Sequence, residues 1–197
     1  TALVVDGGRV SPGANSRVSD PSRQAAQVFA GYLKGEGINV TGIQGGRVGD
    51  RAVEVARVES PPVSELVEAM LTESDNAYAE SLAHVLGGKL ADSPTFAGGA
   101  KATAMQLDEL GIDVQSVTLM DASGLSRQDM IPASTLADVL SHVSKGTTPE
   151  LAYISPGLAV AGLTGTLADR FASPATRPGR GAVQAKTGTY QASDMQL

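Results

Sequence analysis

Cysteine is absent from the 197 residues, so disulfides, thiolate metal sites and cysteine nucleophiles are all excluded. Only two histidines are present, His84 and His142. They are too few and too far apart to suggest a metal-ligand cluster, and each reads as an ordinary helix or surface residue. Tryptophan is missing and aromatics make up 4% of the chain. That leaves little for stacking nucleic-acid bases. The net charge is −6 and no basic block occurs. An acidic chain of this kind is a poor match for phosphate backbones or anionic lipid, so no nucleic-acid partner is expected. No apolar run reaches the roughly eighteen residues needed to cross a bilayer.

What is there is ordinary globular material, 42% hydrophobic and 18% charged, enough for one domain with a core. The opening Ala2-Leu3-Val4-Val5-Asp6-Gly7-Gly8 reads as a strand running into a turn, with no lead-in and no visible signal peptide. Asp20-Pro21 predicts a helix start, and Gly35 and Gly37 its end. Val53, Val55 and Val58 suggest a short extended segment, stopped at Ser60-Pro61-Pro62. Further helices are predicted over 63–71, over 77–86 with a stop at Gly87-Gly88, over 100–110, and from Pro132-Ala133-Ser134 through Val143. Residues 117–120 read as a short strand and 121–126 as a loop. Residues 173–181 read as a surface loop, followed by an extended segment over 183–189. No repeat or interdomain linker is visible, so 1–197 is read as one partial domain.

Two short motifs carry chemistry. Ser74-x-Asn76 falls between two predicted helices, where its plain reading is an N-cap with a surface amide. Lys186-Thr187-Gly188 lies on a predicted strand. Lysine there is a point charge able to hold a carboxylate, and glycine leaves room for another backbone. Its plain reading is an edge-strand lysine that discourages aggregation. Each motif alone is weak, but the pair, in this order and 112 residues apart, is informative.

In that order the motifs match the second and third signatures of the serine penicillin-binding enzymes and β-lactamases. The flanking segments narrow the match. Ser60-Pro61-Pro62-Val63-Ser64-Glu65-Leu66 before the first motif and Ala79-Glu80-Ser81-Leu82 after it are similar to class C low-molecular-mass penicillin-binding proteins, the D-alanyl-D-alanine carboxypeptidase/endopeptidase family. Asp121-Ala122-Ser123-Gly124-Leu125-Ser126-Arg127, Ala161-Gly162-Leu163-Thr164-Gly165-Thr166-Leu167 and Ala185-Lys186-Thr187-Gly188-Thr189 resemble that family as well. The resemblance runs from about Val5 to Thr189.

The resemblance implies an α/β (α+β) fold, with an antiparallel sheet flanked by helices and a mostly helical lobe carrying Ser74 and Asn76. It implies acyl transfer on a peptidoglycan stem peptide, with β-lactams captured as mimics, outside the cytoplasm and without a cofactor. Ser74, Asn76 and Lys186 would be catalytic, while Thr187, Gly188 and Thr189 would bind the substrate. Asp121 and Ser123 are expected to shape a loop rather than react. The family's first signature, Ser-x-x-Lys, occurs nowhere in the sequence. In the family that segment holds the acylated serine. The chain is therefore expected to be one part of an enzyme whose N-terminal part supplies the nucleophile. A β-lactamase or esterase of the same fold, or a non-catalytic wall-binding module, is the alternative reading.

Overall fold

Helix starts in this chain are set by side chains that accept the first orphan N–H groups. In α1, Pro21–Gly35, the Asp20 carboxylate accepts from Arg23 N at 2.9 Å and Pro21 occupies the first turn. The computed structural model describes residues 4–12, 14, 16–47, 49–146 and 148–189. These form two units, 1–58 and 59–197.

The first unit holds α1 and a 3-10 turn at Asp6–Gly8. The expected opening strand differs. Ala2 and Leu3 lie outside the described residues, and Val4-Val5 leads into the 3-10 turn, beyond which an Arg9↔Arg17 bridge forms. Val53, Val55 and Val58 are 83%, 98% and 97% exposed and join no ladder among the described residues. Alternating valines make a strand only where a neighbour offers N–H and C=O groups to pair with.

The second unit is helix-rich. It contains α2, Val63–Glu73; α3, Asn76–Leu90; α4, Phe96–Glu109; α5, Ala133–Lys145; and a short α6, Ile154–Gly157. Strand β1, Ala159–Val160, pairs antiparallel with β2, Gln184–Ala185. Two more backbone bonds, Ala161 N to Val183 O at 2.9 Å and Gly181 N to Ala161 O at 2.8 Å, tie the same two stretches together. Among the described residues the Val117–Met120 stretch expected as a strand contributes one isolated bridge, Thr118↔Met130.

Small residues build the core. Ala83, Ala100, Ala102, Ala159 and Ala161 are buried, with Ile112, Leu158 and Leu167. The predicted stop at Gly87-Gly88 is overridden for the same reason: α3 runs on to Leu90. A Cβ at Gly87 would sit 2.6 Å from Gly98 C and Gly99 N. Gly87 is there to let α4 approach, not to end its own helix. Likewise α4 begins at Phe96, four residues before the predicted start, because Thr95 accepts from Gly98 N at 3.1 Å and caps a turn that contains two glycines. A Cβ at Gly98 would collide with the Ser93 carbonyl oxygen and lie 2.7 Å from Ser93 Cβ. Backbone cannot swing aside as a flexible side chain can. Gly98→Ala is therefore expected to destabilise the chain by about 1–3 kcal/mol. A melt should fall by about 2–4 °C per kcal/mol for a chain of this size. An unchanged melting temperature would show that this turn has slack.

Candidate active site

Ser74 sits where two helices meet. It ends α2 in the left-handed conformation, with φ 56° and ψ 45°, its N–H bonded to Met70 O. For a residue with a Cβ that conformation costs about 1–2 kcal/mol. It is held from both sides. Asp75 N also reaches Met70 O at 3.1 Å, while the Asp75 carboxylate accepts from Ala77 N at 2.8 Å and Tyr78 N at 3.1 Å, capping α3. A strained residue pinned between two caps keeps its side chain in one direction.

That direction is toward Lys186. Lys186 follows β2 directly, and its Nζ donates to Ser74 Oγ at 2.7 Å and to Thr187 O at 2.6 Å. Burial lowers the Lys186 pKa below the ordinary lysine value. The residue still counts as exposed overall. Ser74 Oγ, accepting from an ammonium, keeps its own proton to donate elsewhere. The ammonium carries three N–H groups and, among the described residues, uses two of them, on Ser74 Oγ and Thr187 O.

The segment after Lys186 is anchored by a residue the sequence reading did not single out. Thr187 Oγ1 lies 2.7 Å from Thr166 Oγ1, on the 3-10 turn Gly165–Leu167. That turn backs onto the end of α2: a Cβ at Gly165 would collide with Thr72 O and lie 2.9 Å from Thr72 Cγ2. Thr72 in turn donates to Gly157 O at 3.0 Å, which ties α6 to the end of α2. One chain of contacts thus links the helix end bearing Ser74 to the segment bearing Lys186 and Thr187. The only advance signal for Thr166 was the quoted Thr164-Gly165-Thr166 stretch, which assigned it no role.

The other expected residues are placed as follows. Asn76 is the first residue of α3, exposed, and its amide has no hydrogen-bond partner among the described residues. Gly188 and Thr189 are exposed beyond β2. A Cβ at Gly188 would meet nothing within 4 Å, so no described residue uses the room it leaves. Asp121 shapes its loop, accepting from Gly124 N and Ser126 N, each at 2.7 Å. Glu80, one turn along α3 from Asn76, accepts from Ala122 N at 3.2 Å and Ser123 N at 2.9 Å and holds the loop to the helix. Burial, together with the neighbouring Asp121, raises the Asp129 carboxyl pKa against the Met120 N–H that favours the anion.

Comparison with known proteins bears directly on this arrangement. The profile of the D-Ala-D-Ala carboxypeptidase 3 (S13) family matches residues 2–193. Carboxypeptidase DacB of Mycolicibacterium smegmatis is 34% identical over 191 residues, 95% of this chain and 41% of that protein. The D-alanyl-D-alanine carboxypeptidase of Actinomadura sp. strain R39 is 33% identical over 181 residues, covering 87% of this chain and 33% of that protein. In structure, penicillin binding protein 4 of Haemophilus influenzae, complexed with a β-lactam, superposes with a TM-score of 0.76 at 28% identity, over 89% of this chain and 40% of that one. The chain thus spans about two fifths or less of the length of these relatives. The fold expected from the sequence, an α+β part of a penicillin-binding protein, is the fold found.

Proposed function

The chain belongs to the D-Ala-D-Ala carboxypeptidase 3 (S13) family, and on that premise we propose that it is part of a serine-type D-Ala-D-Ala carboxypeptidase/endopeptidase. Its substrate is a peptidoglycan stem peptide, it forms an acyl-enzyme, and β-lactams capture it. The observation that carries the reading is the 2.7 Å contact between Lys186 Nζ and Ser74 Oγ, two motif residues 112 positions apart.

The roles follow from donor and acceptor counting. A serine supplied from outside these residues attacks the carbonyl between the two D-alanines. The serine–acyl bond forms as the serine gives up its hydroxyl proton, the peptide C–N bond breaks, and the leaving nitrogen takes a proton. Ser74, whose lone pair is occupied by Lys186, passes that proton on. Lys186 and the hydroxyls of Thr187 and Thr189 face the substrate carboxylate, which only accepts hydrogen bonds. Asn76, unpartnered by the described residues, offers its amide to the acyl side. Residues 186–189 run beyond the paired part of β2, which leaves backbone groups to pair with an extended peptide. Water then releases the acyl group. Such a substrate lies outside the cytoplasm, and the enzyme is placed there with it. Among the described residues no helix is long and apolar enough to cross a membrane.

The 197 residues alone contain no Ser-x-x-Lys, so no adduct with a fluorescent penicillin is expected from them. The polypeptide extended upstream to a Ser-x-x-Lys segment should give an adduct that survives denaturation and maps to that serine. An extended, folded polypeptide that stays unlabelled would instead favour a wall-binding module.

A further inference from the structure

We infer that Thr166 is a positioning residue for substrate binding: its hydroxyl donates to Thr187 and thereby aims the Thr187 proton at the substrate carboxylate. The inference rests on the reading above, in which Thr187 holds that carboxylate.

Proton counting gives the direction. The two hydroxyl oxygens are 2.7 Å apart, and either can be the donor in the free protein. A hydroxyl has one proton and two lone pairs. A carboxylate has no proton to give, so Thr187 must donate to it. With its proton committed to the substrate, Thr187 can only accept from Thr166. The bond then runs one way, from Thr166 to Thr187 to the carboxylate, and each step polarises the next.

Thr166 is built to stay in place. Its turn is closed by Ala168 N to Gly165 O at 3.1 Å and by Gly162 N to Leu167 O at 2.9 Å. Leu167 is 4% exposed and anchors the turn in the core. Thr164 Oγ1 accepts from Val160 N at 2.9 Å, which fixes the approach from β1. Both threonines are half-buried, so a hydroxyl left unmatched there loses part of its access to water. The β-branch stiffens χ1 in each. Among the described residues the Thr187 hydroxyl is bonded to the side chain of Thr166, which sets its rotor.

The test uses the intact enzyme and two substrates: a D-Ala-D-Ala peptide with its free carboxylate, and the same peptide as the C-terminal amide. Thr166→Val keeps the shape and removes the hydroxyl. It is expected to raise KM for the acid by about tenfold with kcat little changed, and to raise it much less for the amide, whose C=O accepts from Thr187 without a full charge. Thr166→Ser should restore the acid KM. Thr166→Ala, carried alongside, gives the same readout if the valine variant does not fold. Equal effects on acid and amide, or none on either, would overturn the role of Thr166. Thr187→Val separates the two levels. If it distinguishes acid from amide while Thr166→Val does not, only the inference about Thr166 falls. If Thr187→Val fails to distinguish them, Thr187 does not hold the carboxylate and the underlying reading falls with it.

Discussion

Lys186→Ala, made in the intact enzyme, is expected to lower kcat/KM for a D-Ala-D-Ala peptide by roughly ten- to a hundredfold or more. The variant removes two things at once: the donor to Ser74 Oγ at 2.7 Å, and the ammonium that the proposed function turns toward the substrate. A charge-assisted hydrogen bond is worth about 1.5–3 kcal/mol, and each 1.4 kcal/mol is a factor of ten. Lys186→Arg should recover only part. The guanidinium keeps the charge, but its planar fork cannot reproduce a single compact donor between Ser74 Oγ and Thr187 O. The fold should tolerate both variants, because Lys186 is exposed and lies past the paired residues of β2. Activity of the Ala variant equal to the parent, at an unchanged melting temperature, would reduce Lys186 to an edge-strand lysine.

The pH dependence follows from the same residue. Burial lowers its pKa below the ordinary lysine value, so the ammonium is lost earlier on the alkaline side than from a free lysine. The alkaline limb of kcat/KM should begin correspondingly early, and it should be absent in Lys186→Ala. The folding sign is opposite. A lysine whose folded pKa is depressed disfavours folding while it is protonated in both states. That penalty disappears as pH rises from the depressed value through the ordinary one. Activity falling in this window while the melt holds would separate loss of the ammonium from unfolding.

Motif residues were legible in the sequence because their chemistry is local to a few positions. Ser74 and Lys186 could be named from two short strings, and the contact between them is what the fold supplies. Helix starts marked by a side-chain cap were legible too, as at Asp20-Pro21. What was not legible depends on neighbours distant in sequence. Gly87 and Gly98 look like breaks in a one-dimensional pattern. They are close-approach points in α3 and α4, because Cβ atoms there would run into backbone. The stretch 183–189 has strand composition along its length, yet among the described residues the ladder with β1 covers Gln184–Ala185, with one more bond from Ala161 N to Val183 O. Pairing belongs to the neighbour as much as to the strand. Thr166 escaped notice since what marks it is a single hydroxyl contact to a residue 21 positions away.

Gly165→Ala tests whether the site depends on that contact chain, and its expected effect is as large as that of Lys186. Gly165 has φ 51°, a left-handed conformation that already disfavours a side chain. A Cβ there would also collide with Thr72 O, two residues before Ser74. The backbone of α2 cannot retreat freely, because Thr72 Oγ1 is bonded to Gly157 O and α2 is packed against α6. The collision must therefore be relieved by moving the Gly165–Leu167 turn away from α2. Thr166 moves with the turn, Thr187 follows through its 2.7 Å bond, and Lys186 is adjacent in the chain. Displacement of a reacting group by about 1 Å can cost a hundredfold in rate. The expected result is a loss of about a hundredfold in kcat/KM, with a melting temperature lowered by overpacking worth about 1–3 kcal/mol. Gly165→Ala with full activity and an unchanged melt would show that Thr72 and the turn can part without disturbing Ser74 and Lys186. A lower melt with full activity would show that the turn stabilises the unit but does not set the geometry of the site.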